Sequence, residues 1–128
     1  MALLNSFRDL DVYKLAREQS RLIFKITQSF PKEEKFSLTD QIRRSSRAVN
    51  AMLAEAWARR PYVAAFANKV DEALGEAMET QAWLDHSLDC NYITPAQHRE
   101  LDAAWQNIGG KLHRMMERAE SFCQRPPR

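Results

Sequence analysis

Apolar side chains recur at steps of three and four residues through nearly the whole chain, in four runs separated by prolines or short polar turns. That period matches the 3.6 residues of a helical turn and not the two-residue alternation of a strand. Leu10, Tyr13, Ala16, Ser20, Ile23, Phe24, Thr27 and Phe30 define a first helix over about 9–29. Pro31 ends it, because a residue preceding proline is driven out of the α region. Ile42, Ser45 or Ser46, Val49, Met52, Leu53 and Ala56 define a second over about 38–60, with Ser37 and Asp40 as its start signal. Val63, Phe66, Val70, Ala73, Leu74, Ala77, Gln81, Leu84 and Leu88 mark a third over about 62–90, with Pro61 in its first turn. Leu101, Ala104, Trp105, Ile108, Leu112, Met115, Ala119 and Phe122 mark a fourth over about 95–123. Its start, Thr94-Pro95-Ala96-Gln97, combines a capping threonine, a proline at the first helical position and a glutamine that reaches back.

Four helices joined by short loops bury their stripes most simply in an all-α, antiparallel, up-down-up-down four-helix bundle. The expectation is one domain over residues 1–128, with a frayed basic tail at 124–128. Gly109 and Gly110 interrupt the fourth run and predict a close helix approach or a kink. No apolar run reaches the roughly 18–20 residues that span a bilayer, and the opening segment is charged too early for a secretory signal. The expected location is cytoplasmic, with no membrane partner.

Helical bundles often house metal chemistry, which demands ligands at set spacing. A di-iron bundle uses Glu-x-x-His, but Trp83, Pro95 and Gly110 stand three residues before His86, His98 and His113. Cys90 and Cys123 are not in a Cys-x-x-Cys pair and have no histidine at zinc-ligand spacing. The chain has no Gly-x-Ser-x-Gly and no Gly-x-Gly, so neither a nucleophile elbow nor a phosphate-cradling loop is present. The expectation is no catalytic residue, no metal and no cofactor. Glu72, Glu76 and Glu79 share a face of the third helix, and Glu55 on the second can meet them. They read either as a carboxylate site or as interhelical or intersubunit ion pairs, with Arg43 and Arg47 the obvious partners.

A net charge of +2 does not by itself announce a nucleic-acid binder, so placement must carry that reading. Lys14, Arg17, Arg21 and Lys25 form a stripe along the first helix, and Arg43, Arg44 and Arg47 a cluster on the second. Such a face can track a phosphate backbone by displacing counterions, or it can simply be solvated. Trp57, Tyr62, Trp83, Tyr92 and Trp105 are more large aromatics than so small a bundle readily buries. As a set they point to self-association, with Trp57, Tyr62, Trp83 and Trp105 as the expected interface.

The segment Gln41-Ile42-Arg43-Arg44-Ser45-Ser46-Arg47-Ala48-Val49, followed by Leu53-Ala54-Glu55-Ala56-Trp57, resembles the signature of the bacterial four-helix bundle proteins encoded in intervening sequences of large-subunit ribosomal RNA genes. Phe7-Arg8-Asp9-Leu10-Asp11-Val12-Tyr13, Phe30-Pro31, Phe66, Ala73, Gly75-Glu76 and Glu79-Thr80-Gln81 extend the similarity from about Phe7 to Phe122. Many members read Asn-Ile-Ala-Glu-Gly where this chain has Met52-Leu53-Ala54-Glu55-Ala56, and its longer Ala-Glu-Ala-Trp-x-x-Arg form, Ala54 to Arg60, suggests a distinct branch. The resemblance implies a homopentameric ring with a central channel and no established catalytic activity. It also implies kinship with the basic pentameric accessory proteins of diversity-generating retroelements, which bind nucleic acid and a reverse transcriptase.

The function expected is therefore a non-enzymatic, oligomeric bundle that binds RNA or other nucleic acid through its basic helix faces. The alternative is a scaffold that binds itself and a protein partner but no nucleic acid.

Overall fold

The computed structural model describes residues 4–123 and builds them from helices and turns, with no strand among them. The basic tail expected at 124–128 lies outside the described residues. Four long helices, α1 (Asp11–Thr27), α2 (Asp40–Ala58), α3 (Val63–Asp89) and α4 (Pro95–Glu117), are followed by a single turn, α5 (Ala119–Cys123). α3 packs most extensively, against α2 on one side and α4 on the other, while α1 closes the bundle by lying across α2 and α4. Ile23, Ile42, Leu53, Phe66, Leu84, Trp105, Ile108 and Leu112 fill the centre with almost no exposed surface. No described helix is long and apolar enough to cross a membrane.

The boundaries follow local chemistry. Helix α1 begins at Asp11 and not at 9, because residues 7–9 form a separate 3-10 turn. Ser6 Oγ accepts the Arg8 N–H at 3.2 Å, and Asp9 Oδ2 accepts the Asn5 and Ser6 N–H groups at 2.9 and 3.1 Å. Thr94 caps α4 as its sequence predicts: Thr94 Oγ1 accepts from the Gln97 N–H at 3.1 Å, and the Thr94 N–H donates to Gln97 Oε1 at 2.8 Å.

Ser37 does not start a helix. Residues 35–39 form one π-helical turn, in which the Asp40 N–H reaches the Lys35 carbonyl, and the Ser37 hydroxyl donates to Glu34 Oε1 at 2.6 Å. Pro61 likewise lies in the turn before α3, which opens at Val63 after an extended Tyr62. Val63, predicted to be core, is 41% exposed, and Phe24 is 40% exposed because Ile23 beside it takes the inward position. Helix α4 runs unbroken through Gly109 and Gly110. A Cβ added at Gly109 would sit 3.5 Å from Leu74 Cδ1, an ordinary contact, so Gly109 does not mark an unusually close approach.

Helix α3 ends with Asn91 in the left-handed region at φ 61°. The Tyr92 N–H then bonds the Ser87 carbonyl and the Asn91 N–H the Leu88 carbonyl, each at 2.9 Å, which satisfies the last carbonyls of the helix. This turn aims the Tyr92 hydroxyl at Glu34 Oε2, 2.8 Å away, and ties together the two connections at that end of the bundle.

Candidate nucleic-acid interface

Two polar side chains between α1 and α2 set the shape of the basic face. Asn50 donates its amide to the Tyr13 carbonyl at 3.0 Å, and Ser20 donates its hydroxyl to the Ser46 carbonyl at 3.0 Å. Beside this seam runs an open groove of about 730 Å³, lined by Tyr13, Lys14, Arg17, Glu18, Ser20, Arg21, Phe24, Arg47 and Asn50. Lys14, Arg17 and Arg47 line it without an ion-pair partner among the described residues. Arg21 is held by Glu18 at 2.6 Å; that hydrogen bond lowers the Glu18 carboxyl below its usual range and raises Arg21 above its own. Lys25 is exposed one turn beyond, so the stripe from Lys14 spans about 16 Å of helix.

Arg43 and Arg47, one turn apart on α2, both turn toward α1. Their guanidinium carbons lie 4.6 and 5.4 Å from the centre of the Phe24 ring, and Arg43 Nε also donates to Thr27 Oγ1 at 2.8 Å. The half-exposed ring is thus a platform that spreads two cations across the α1–α2 surface. A second depression below it adds Lys32 and Lys35 to Phe24 and Arg43. Those two lysines belong to this basic face, although the sequence places them in a loop with no helical register to follow.

Arg43 and Arg47, expected as partners of the acidic residues, are therefore turned away from them. Arg44, rotated by about 100° from Arg43, faces α3 and pairs with Glu76 at 2.9 Å and with Glu79. Burial pulls the Arg44 pKa down, but the hydrogen bonds and charges of Glu79 and Glu76 leave it raised overall. Glu55 and Glu72 are drawn together by Lys69, at 3.6 and 3.0 Å, a residue the sequence reading passed over. The hydrogen bond that Lys69 donates to Glu72 is the main reason the Lys69 pKa is raised.

The four aromatics named for an interface divide. Trp105 is wholly buried in the core, so it cannot line a contact between copies. Trp83 is half-buried and donates its indole N–H to Glu79 Oε2 at 3.1 Å. Trp57 carries the Arg60 guanidinium 3.6 Å above its ring, and Tyr62 is 69% exposed at the α2–α3 corner. Phe36 and Met78, not singled out in the sequence, are also strongly exposed.

Among the described residues, one group of side chains with metal-ligating chemistry converges: Asp85 from α3 with His98 and Asp102 from α4. Cys90 and Cys123 are free thiols in separate places, and burial raises the Cys123 thiol.

Residues 8–114 match the family model described as 23S rRNA-intervening sequence protein. A crystal structure of a protein of unknown function from the S23 ribosomal protein family of Bacteroides thetaiotaomicron VPI-5482 is similar, with a TM-score of 0.75 and 29% identity. The likeness covers 83% of this chain and 95% of that one. A comparison with curated proteins finds no match.

Proposed function

The chain belongs to the 23S rRNA-intervening sequence protein family, and from that premise we propose that it is a non-enzymatic, self-assembling bundle protein that binds RNA or other nucleic acid along its α1–α2 face. One observation carries the reading: Lys14, Arg17 and Arg47 converge on a single groove and are not neutralised by ion pairs among the described residues. Lys25, Lys32, Lys35 and Arg43 extend the same cationic surface. The acids of α3, by contrast, are taken up by Arg44 and Lys69, as in a structural network and not an acid–base site. Repetition around an oligomer, five copies by family resemblance, multiplies a modest stripe into a belt with corresponding avidity.

A second reading is a protein scaffold without nucleic-acid binding, which would use Phe36, Tyr62 and Met78 as separate exposed apolar contact points. Titrating structured RNA and duplex DNA across a salt series, with mass by light scattering on the same sample, separates the two. Binding by an oligomer that weakens steeply with salt supports the first reading. An oligomer that binds neither at low salt removes it and leaves the scaffold.

A further inference from the structure

We propose that Asp85, His98 and Asp102 form a site for a divalent transition-metal cation of the zinc type, joining α3 to α4. His98 and Asp102 are four residues apart on α4, so they stand one above the other on a single face. Asp85 meets them from the last turns of α3. One ligand atom from each lies within 4.8 Å of the other two, and His98 Nε2 is already 2.8 Å from Asp85 Oδ1.

The donor set selects the ion. An imidazole nitrogen with two carboxylates suits zinc and its neighbours, whereas magnesium and calcium require a shell built almost wholly of oxygens. Two carboxylate charges balance a dication. Metal–ligand bonds of about 2.0 Å at tetrahedral angles set the ligand atoms roughly 3.3 Å apart. The His98–Asp85 pair therefore opens slightly and Asp102 closes by about 1.5 Å at most, movements within the reach of side-chain rotation. Three protein ligands leave a fourth position for water. Asp85 is 66% exposed and His98 only 20%, which gives the ion an entrance on one side and a packed ring on the other.

Gln81 supplies the support such a site needs. Its Nε2 donates to Asp102 Oδ1 at 3.1 Å and to Gln106 Oε1 at 3.0 Å. The Asp102 carboxylate is thus held in orientation from outside, the usual part of an outer hydrogen bond around a metal ligand. A plain His98–Asp85 ion pair needs neither Asp102 nor Gln81.

Calorimetric titration of the full-length, tag-free protein with zinc chloride tests the site, with magnesium chloride as the comparison. The expected result is one zinc per chain, a rise in Tm with zinc, and neither effect with magnesium. His98→Ala and Asp102→Asn, each checked for helicity, should weaken zinc binding at least about tenfold, and Gln81→Ala by about 10–100-fold. The double variant Cys90→Ser/Cys123→Ser should bind zinc as the parent does. Absence of zinc binding overturns the proposal. So does binding unchanged by His98→Ala and Asp102→Asn, or binding lost with the two thiols.

Discussion

The Ser45 and Thr80 hydroxyls meet at 2.8 Å between α2 and α3, with both side chains fully buried. Each hydroxyl has one proton. Thr80 Oγ1 donates to the Glu76 carbonyl at 3.0 Å, so the short contact is best made by Ser45 donating to Thr80. The Ile42 carbonyl, 3.3 Å from Ser45 Oγ, is the weaker acceptor. Ser45→Ala and Thr80→Val should each destabilise the fold by about 1–3 kcal/mol, while the double variant costs less than their sum by about 1 kcal/mol. Urea unfolding of the four proteins measures the coupling. Strict additivity would show that the two hydroxyls do not interact.

Tyr92 and Glu34 make the fold sensitive to pH at both extremes. Hydrogen bonds from Ser37 and then Tyr92 hold the Glu34 carboxyl below its usual range, and the bond to Glu34 pushes Tyr92 up to about 12. A depressed carboxyl contributes stability above its unfolded pKa and loses it as pH falls through the folded value. A raised phenol contributes below its unfolded pKa, about 10, and loses the contribution as pH rises toward 12. Ultraviolet titration should show one tyrosine ionising near pH 12, and Glu34→Gln should bring it down. Tyr92→Phe should remove that step and reduce the loss of stability in strong alkali.

Arg44 tests whether the α2–α3 ion pairs and the basic face are separate devices. Its side chain is half exposed, so releasing Glu76 and Glu79 by Arg44→Ala should cost no more than about 1 kcal/mol. Since those acids already occupy it, the same change should alter nucleic-acid affinity less than twofold. A loss as large as that from Lys14 or Arg17 would show that the pair opens to phosphate.

What the sequence could disclose follows from how far each interaction reaches. The stripes of α2 and α4 were legible because a 3.6-residue period and their own apolar residues determine them, as does the Thr94–Gln97 cap, whose partners are three residues apart. Periodicity could not decide between Ile23 and Phe24, neighbours at the edge of one stripe, and only packing turns Phe24 outward. Nor does side-chain size tell inside from outside: Trp105 fills the core while Trp83 lies at its margin. Arg43 and Arg47 do share a face, as i and i+4 require. That this face meets α1, leaving Arg44 for α3, depends on the order of helices around the bundle. His98-x-x-x-Asp102 was present in the sequence, but its third member, Asp85, stands on another helix and becomes a neighbour only after folding.

The basic groove yields the most direct functional prediction. Lys14 and Arg17 are exposed on α1 and make no ion pair among the described residues, so reversing their charge removes no internal support. Lys14→Glu/Arg17→Glu should leave helicity and oligomer mass unchanged, with stability altered by less than about 0.5 kcal/mol. If each residue neutralises one phosphate, the slope of log affinity against log salt falls by about 2 units per protomer bound. Fluorescence anisotropy with labelled RNA between low and physiological salt reads both affinity and slope. An unchanged slope would move the phosphate contacts off α1, whereas loss of the oligomer would make these cations part of the assembly instead of the nucleic-acid face.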